Sequence, residues 1–184
     1  MHRAFHWILC LVWLVAAIVL PVSAKGEQEV PLRPYPNMLP SDADRLFADG
    51  EFELLSIDPA ILTDRQRRRL KGQLFHGYKV LGRVKVPKGS QRDHLVQALR
   101  EAIANAGYVT VYCFDPRHGI RASLGAHAVD LVICFECDKI QVHSSAMAAF
   151  VSTGDSAQPV FDQALKRAGI RWHRGRSSLT WRCS

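Results

Sequence analysis

The stretch from Tyr108 to Val142 constrains the fold more than any other part of the chain. It holds three of the five cysteines and two runs rich in β-branched and aromatic residues, 108–114 and 129–135. Such runs favour strands, because these side chains fit a pleated and half-buried surface. Between the two runs, the turn Asp115–Gly119 (DPRHG) carries several charged or titratable side chains. We therefore expect a sheet in this stretch, with a candidate site at the turn.

Helical and strand-like patterns alternate along the rest of the chain. The clearest helix follows Ser90, because apolar residues then recur on a single stripe as far as Ala106. Residues 75–86 alternate between apolar and basic side chains, which predicts a half-buried strand. Thr63 and Gln66 have the spacing of a capping box at the start of another helix.

Further elements complete the predicted order. We expect strands over 51–57 and 139–143, an extra short strand near 120–122, irregular structure over 144–156 and a last helix over 159–168. The sequence therefore predicts an α+β fold in the order β-α-β-α-β-β-β-α. Its sheet is mainly antiparallel, with one parallel pair allowed, and its helices pack mostly on one face.

The first 24 residues have the organisation of a secretory signal. Arg3 provides a positive charge, residues 8–20 form an unbroken apolar run, and Val22–Ala24 supply small residues at the cleavage site. The run is shorter than the roughly 20 apolar residues of a spanning helix. Lys25 follows the predicted cut instead of a cysteine, which disfavours a lipid anchor. We predict cleavage after Ala24, export to the periplasm or the medium, and no transmembrane span in the mature chain.

The mature chain has the size and the apolar content of one domain. Four prolines within 25–41 predict an extended leader. We assign 42–170 to a single α+β domain and 171–184 to a basic tail. The formal net charge is +7, and every residue after Asp162 that carries charge is basic. Such a tail favours an anionic partner; the alternative is a solvated basic end that aids solubility.

Four cysteines follow the predicted signal. They are Cys113, Cys134, Cys137 and Cys183. An even number in an exported chain indicates disulfides, and four cysteines allow three pairings. A parallel pairing of 108–114 with 129–135 would set Cys113 beside Cys134, whereas an antiparallel pairing would separate them. We favour Cys113–Cys134, which would contribute about 3 kcal/mol, together with Cys137–Cys183; the other pairings stay open.

The turn is the candidate functional site. Proline presets its shape, and it projects Arg117 and His118, with Arg121 near by. These three side chains could bind an anion, and His118 with Asp115 is the candidate catalytic pair, in which the imidazole acts as general base.

The alternative for the same turn is structural. Arg117 would pair with Asp115, Asp130 or Glu136, and His118 would hydrogen-bond to backbone. Both interpretations follow from the residue types alone, so the geometry has to decide between them.

The same segment also contains residue types that zinc accepts as ligands. Cys113 and His118 have the spacing C-x4-H, and Cys134 and Cys137 have the spacing C-x2-C. Residues three apart on a straight strand point to opposite faces, so the last two converge only if a turn lies between them. An oxidising compartment also favours disulfides. We therefore predict no cofactor, with zinc at these four residues as the alternative.

Two motifs carry a resemblance. CFDPRHGIR at 113–121 and VDLVICFEC at 129–137, with FHGYKVLGRVKV and ELLSIDP upstream, are similar to motifs in a group of uncharacterised exported bacterial proteins. The resemblance covers roughly residues 52–142. It implies bacterial export and no particular activity.

The sequence therefore predicts an exported non-enzymatic domain that binds another exported protein or an anionic envelope polymer. Arg117, His118 and Arg121 would form its polar patch. One alternative is a hydrolase-like or zinc-binding enzyme centred on the turn from Asp115 to His118, and another is an inhibitor or immunity-type protein. An enzyme requires a concave pocket with converging polar groups at the turn, whereas the binding domain predicts a shallow or filled surface there.

Overall fold

The protein is described from a computed structural model, over residues 33–35, 38–107, 113–145 and 148–171. All of the described residues lie within one compact unit of the chain, which falls inside Pro31–Ser184. The predicted signal, and all of the predicted basic tail except its first residue, lie outside the described residues.

The strands of the described residues belong to one sheet. They are β1 Arg33–Tyr35, β2 Glu51–Asp58, β3 Leu74–Phe75, β4 Tyr78–Lys85, β5 His118–Leu124, β6 His127–Cys134, β7 Lys139–Ser144 and β8 Ala148–Ser152. Their order across the sheet is β1-β8-β7-β6-β5-β2-β4-β3. All neighbours pair antiparallel except β1 and β8, which are parallel. A mainly antiparallel sheet with helices confirms the predicted α+β class.

Helices cover one face of this sheet. The described helices are α1 Ala43–Asp49, α2 Asp64–Arg69, α3 Ser90–Ala104 and α4 Gln158–Arg167. The predicted stripe of α3 is buried against apolar side chains of the central strands, including Ile120 and Leu131. In contrast, α2 has no buried residue. No helix within the described ranges is long and apolar enough to cross a bilayer.

A second and smaller core lies on the opposite face of the sheet. Leu55, Ile57, Phe75 and Val132 are buried there. Residues 54 and 55 of β2 therefore both lie in apolar surroundings, one on each face, because successive side chains of a strand alternate. The β3–β4 hairpin folds back over this face and brings Phe75 against Gly119 of β5.

The parallel pairing predicted for 108–114 and 129–135 is wrong. Both edges of β6 are occupied by antiparallel neighbours, β5 and β7. The reason is the short turn at Gly125 and Ala126, which lets the extra strand predicted near 120–122 fold back beside β6. Residues 108–112 lie outside the described part of the chain, and the next five residues run up to β5 without regular structure.

Two segments predicted to be irregular or extended contribute strands. Within 144–156, β8 pairs with β7 and buries Ala149 and Val151. The sequence did not predict this strand, because its small side chains give only a weak hydrophobic pattern. Within the proline-rich leader, β1 pairs with β8.

Candidate functional site

The predicted turn is fixed at the rim of the sheet by its backbone. The N–H of Arg117 donates to the carbonyl of Ile133 at 3.1 Å, and the carbonyl of Arg117 accepts from the N–H of Ile57 at 3.0 Å. The turn is therefore joined to β2 on one side and to β6 on the other. The two strands hold the backbone of the turn, and this fixes the directions in which its side chains leave the chain.

Arg117 is neutralised by two carboxylates. Its Nη1 donates to Glu136, and its Nη2 lies 3.4 Å from Oδ2 of Asp115. Only 13% of the Arg117 side chain is exposed, and its buried Nε has no hydrogen-bond partner among the described residues. The ion-pair alternative is thus confirmed for Arg117, and both its charge and most of its surface are already engaged within the protein.

His118 lies in the layer between the sheet and α4. The residue is 2% exposed, and its Nε2 lies 2.9 Å from Oδ1 of Asp162. The rings of Phe135 and Phe161 contact the imidazole, with centroids 5.3 and 5.9 Å away. Among the described residues the imidazole therefore bonds to a carboxylate of α4, whereas the structural alternative predicted a bond to backbone. This hydrogen bond ties α4 to β5 and leaves little of the imidazole accessible.

A serine lies next to this histidine. Ser56 is the cross-strand partner of His118 in the β2–β5 ladder, and its buried hydroxyl has no hydrogen-bond partner among the described residues. The three residue types of a nucleophilic triad are thus neighbours on one face of the sheet. The adjoining cavity, which Asp115 and Phe135 help to line, measures about 10 Å³. That is room for about one water molecule, and Ser56 is 0% exposed.

The disulfide joins Cys134 to Cys137, whose Cα atoms lie 5.2 Å apart. The predicted pairings of Cys113 with Cys134 and of Cys137 with Cys183 are therefore wrong. The reason is the 3-10 turn Phe135–Cys137, which follows β6 directly and brings residues three apart together. Cys113 is also disulfide-bonded, and Cys183 lies outside the described residues.

The four predicted zinc ligands do not form a site. The disulfide removes the thiolates of Cys134 and Cys137, and zinc binds cysteine as thiolate. The Nε2 of His118 is directed at Asp162. Among the described residues, no group of three or more His, Cys, Asp or Glu side chains could hold a metal ion.

Arg121 lies on the other side of the sheet from His118. The two residues are three apart on β5, so their side chains emerge on opposite faces. The guanidinium of Arg121 donates to Asp130 twice, with Nε 2.9 Å from Oδ1 and Nη2 2.6 Å from Oδ2. It also lies over the ring of Phe75. The three predicted ligand-binding residues, Arg117, His118 and Arg121, therefore do not form one patch.

Asp130 is the centre of a polar cluster that the sequence analysis missed. Its side chain is 10% exposed and accepts hydrogen bonds from Arg121 and from Nε2 of His76, the latter at 2.8 Å. The ring of His76 stacks on the ring of His143, with centroids 3.7 Å apart and an interplanar angle of 8°. These four residues, which we call the Asp130 cluster, come from β5, β6, β7 and the β3–β4 turn.

The β3–β4 turn brings His76 to this position. Phe75 and Tyr78 are paired, so His76 and Gly77 form a two-residue hairpin turn, with φ of 47° and 88°. Positive φ at both positions is the signature of a type I′ turn. The hairpin can approach because β5 has a glycine below it: a Cβ on Gly119 would come within 2.9 Å of Phe75.

Two members of the Asp130 cluster, Asp130 and His143, have pKa values below their usual ones. Burial raises the pKa of Asp130, but the hydrogen bonds from Arg121 and His76 outweigh burial and hold that pKa below its usual value. Burial, and then the neighbouring His76, lower the pKa of His143 to about 4. The buried Nε2 of His143 has no hydrogen-bond partner within the described ranges. At neutral pH the cluster therefore contains an ionised Arg–Asp pair beside a neutral imidazole.

Two features of the sequence could have predicted this cluster. Asp130 is the charged residue in an otherwise apolar strand, VDLVIC, and a carboxylate in such a run needs a partner. His76-Gly77 separates two β-like segments, which is the pattern of a tight hairpin. Neither feature identifies the partners, because these come from strands that are distant in sequence.

A larger groove lies between α3 and α4, away from the turn. Its volume is about 410 Å³, and it is lined by His94, Gln97, Ala98, Glu101, Ser156 and Val160. None of the predicted site residues is among these six. The groove is therefore not the pocket that the enzyme alternative requires at the turn.

Comparison with known proteins gives one structural likeness. No family model and no curated protein matches the chain. A crystal structure described as "Putative Lipoprotein from Clostridium perfringens" is similar to it, with a TM-score of 0.39 and 12% sequence identity. The match covers 68% of this chain and 91% of the other.

Proposed function

We propose that the protein is an exported, non-enzymatic domain that binds an anionic component of the bacterial cell envelope. The state of the predicted site carries this proposal. Arg117 is neutralised by two carboxylates, His118 is 2% exposed, and the cavity beside them measures about 10 Å³. Small-molecule sites usually have about 300–1,000 Å³, and the groove of about 410 Å³ between α3 and α4, which is of that size, contains none of the residues of the turn. A filled turn of this kind favours recognition through the outer surface.

The charge of the chain supports an anionic ligand. Its formal net charge is +7, and the six basic residues after Asp162 have no acid among them. A surface with such an excess attracts polyanions and anionic lipid over a distance set by the ionic strength.

Export is supported by two further observations. Residues 1–24 have the charge, the apolar run and the cleavage residues of a secretory signal. Cys134 and Cys137 are oxidised, and stable disulfides are typical of compartments outside the cytosol.

The test uses the chain with its whole N-terminus, produced in a bacterial host. We expect the exported fraction to contain a product that starts at Lys25, as measured by intact mass. We expect this product to sediment with purified cell envelopes at low salt and to be released near 1 M salt, where the Debye length falls to about 3 Å. An uncleaved cytosolic product, or sedimentation that does not change with salt, would contradict the proposal.

A further inference from the structure

Helix α2 and the residue pair after it carry a concentrated positive charge. The basic residues within 65–71 are Arg65, Arg67, Arg68, Arg69 and Lys71, and all five are exposed. The helix has no buried residue. None of the five forms a salt bridge with another described residue, in contrast to Lys85, Lys88 and Arg100, which pair with Glu51, Asp49 and Asp44.

The helix sorts these arginines onto two sides. Arg65, Arg68 and Arg69 stand at i, i+3 and i+4, so they share one face. Arg67 lies on the other side and turns to the body of the protein. Its Nε donates to the carbonyl of Leu62 at 3.2 Å, and its Nη1 lies 3.3 Å from where a Cβ on Gly77 would be.

Local interactions hold α2 in place. Thr63 and Gln66 form the capping box that the sequence predicts, with the N–H of Thr63 donating to Oε1 of Gln66 at 2.8 Å. A single short helix with no buried face is marginal on its own, and like charges at i, i+3 and i+4 destabilise it further. No side-chain hydrogen bond or ion pair with another described residue involves Arg65, Arg68 or Arg69, so contacts within the described part of the chain do not explain this face.

An exposed apolar side chain precedes the helix closely in sequence. Ile61, three residues before α2, is 93% exposed. Basic residues next to a protruding apolar side chain suit the surface of a bilayer, because the cations attract anionic headgroups while the apolar group enters the boundary with the acyl chains. A soluble polyanion would use the arginines alone.

We infer that Arg65, Arg68 and Arg69, with Ile61 at the edge, form a docking surface for an anionic phospholipid bilayer. This inference rests on the proposed function, and it specifies anionic phospholipid as the envelope component that the protein binds. The surface shares no residue with the turn at Asp115–Gly119 or with the Asp130 cluster, and its three arginines are exposed.

Sedimentation with vesicles tests the arginine face. The exported protein is mixed with vesicles of phosphatidylglycerol and phosphatidylcholine, and with vesicles of phosphatidylcholine alone. Each arginine near an anionic surface contributes about fivefold, so we expect R65Q/R68Q/R69Q to weaken binding to the anionic vesicles about 100-fold. The matched control is K85Q/K88Q/R100Q, which removes the same charge from salt-bridged positions and is expected to change binding by less than about threefold. Equal losses in the two variants would overturn the docking surface.

Ile61→Ser separates a bilayer from a soluble polyanion. We expect about fivefold weaker binding to the anionic vesicles, because the apolar contribution is lost, and unchanged salt elution from heparin-agarose. Unchanged vesicle binding would exclude the bilayer. All variants are compared by urea unfolding, and unchanged midpoints are expected because the substituted side chains are exposed. If the unsubstituted protein sediments with envelopes but not with the anionic vesicles, the inference fails and the proposed function stands; if it sediments with neither, both fail.

Discussion

The His118–Asp162 pair and the Asp130 cluster place histidines and carboxylates on opposite faces of one sheet. On the helix-covered face, the imidazole of His118 lies among phenylalanine rings and hydrogen-bonds to Asp162. On the other face, one carboxylate accepts from an arginine and a histidine, and a second histidine stacks on the first. The turn that the sequence analysis selected as a site is therefore a packing contact, whereas the cluster that it missed lowers the pKa values of Asp130 and His143.

The carboxylates of Asp162 and Asp130 differ in their exposure and in the donors that they hold. The side chain of Asp162 is 32% exposed and has His118 as its partner. That of Asp130 is 10% exposed and holds two donors, Arg121 and His76. Asp130 accepts three hydrogen bonds, two from Arg121 and one from His76, whereas one to Asp162 is seen among the described residues, from His118. Removing Asp130 therefore breaks more hydrogen bonds to a charged group, although the side chain of His118, at 3% exposed, is the most deeply buried of the three donors.

The largest expected effect comes from Asp130→Ala. We expect the free energy of unfolding to fall by about 3 kcal/mol, since Arg121 and His76 lose their shared acceptor. Asp162→Ala is the matched variant on the other face, and we expect it to cost about 1 kcal/mol. Urea unfolding at pH 7 measures both values. Equal costs would break the comparison, because they would make the hydrogen bond between His118 and Asp162 as important for stability as the whole Asp130 cluster.

The next largest effect on the free energy of unfolding is expected where the β3–β4 hairpin approaches Gly119. A Cβ at Gly119 would lie 2.9 Å from Cε1 and 3.2 Å from Cδ1 of Phe75. Gly119→Ala should therefore push the hairpin away from the Asp130 cluster and destabilise the protein by about 2 kcal/mol.

Gly107→Ala is the control for that substitution. A Cβ at Gly107 has no neighbour within 4 Å among the described residues, so we expect a change within about 0.5 kcal/mol. If Gly119→Ala is equally mild in thermal and urea unfolding, the hairpin does not depend on this close approach.

The smallest expected effect is a dependence of stability on pH. The pKa of His143 falls from an ordinary value of 6.5 to about 4 in the folded protein. Between these values the unfolded chain binds a proton that the folded protein does not. The stabilisation is therefore complete above pH 6.5 and is lost as the pH falls towards 4. The groups that face the ring are His76 and Asp130, and the pKa of Asp130 lies below this window.

We expect this loss to be about 1–2 kcal/mol, because the partial exposure of the ring reduces the linkage. In His143→Gln the slope between pH 6.5 and 4 should be flatter than in the unsubstituted protein. His94→Gln, which removes an exposed imidazole from α3, should keep the original slope. The measurement is urea unfolding at a series of pH values, and an unchanged slope in the His143 variant would assign the pH dependence to other groups.

The sequence was sufficient for elements with a strong local pattern. The stripe of α3, the alternation of β4 and the capping box at Thr63 each predicted a real element, because local periodicity and capping reflect short-range physics. The apolar run of β6 was likewise predicted as a strand.

Long-range partners could not be predicted in the same way. The position of β5 beside β6 depends on a two-residue turn, and the pairing of Cys134 with Cys137 depends on a 3-10 turn; neither has a strong signal. Arg121 and His118 lie on opposite faces because side chains alternate along β5, and the sequence analysis did not predict that this strand begins at His118. Asp130 meets His76 across 54 positions of sequence, and only the register of the whole sheet brings them together.

The disulfide of Cys134 and Cys137 has a consequence for how the protein matures. It joins residues three apart, so it encloses a very small loop and restrains the unfolded chain by only about 2 kcal/mol. A bridge of this span does not bring remote segments together, and its formation need not wait for them. Oxidation of these two thiols can thus precede or follow assembly of the sheet. Their redox state affects the rigidity of the end of β6 and does not determine the order of the strands.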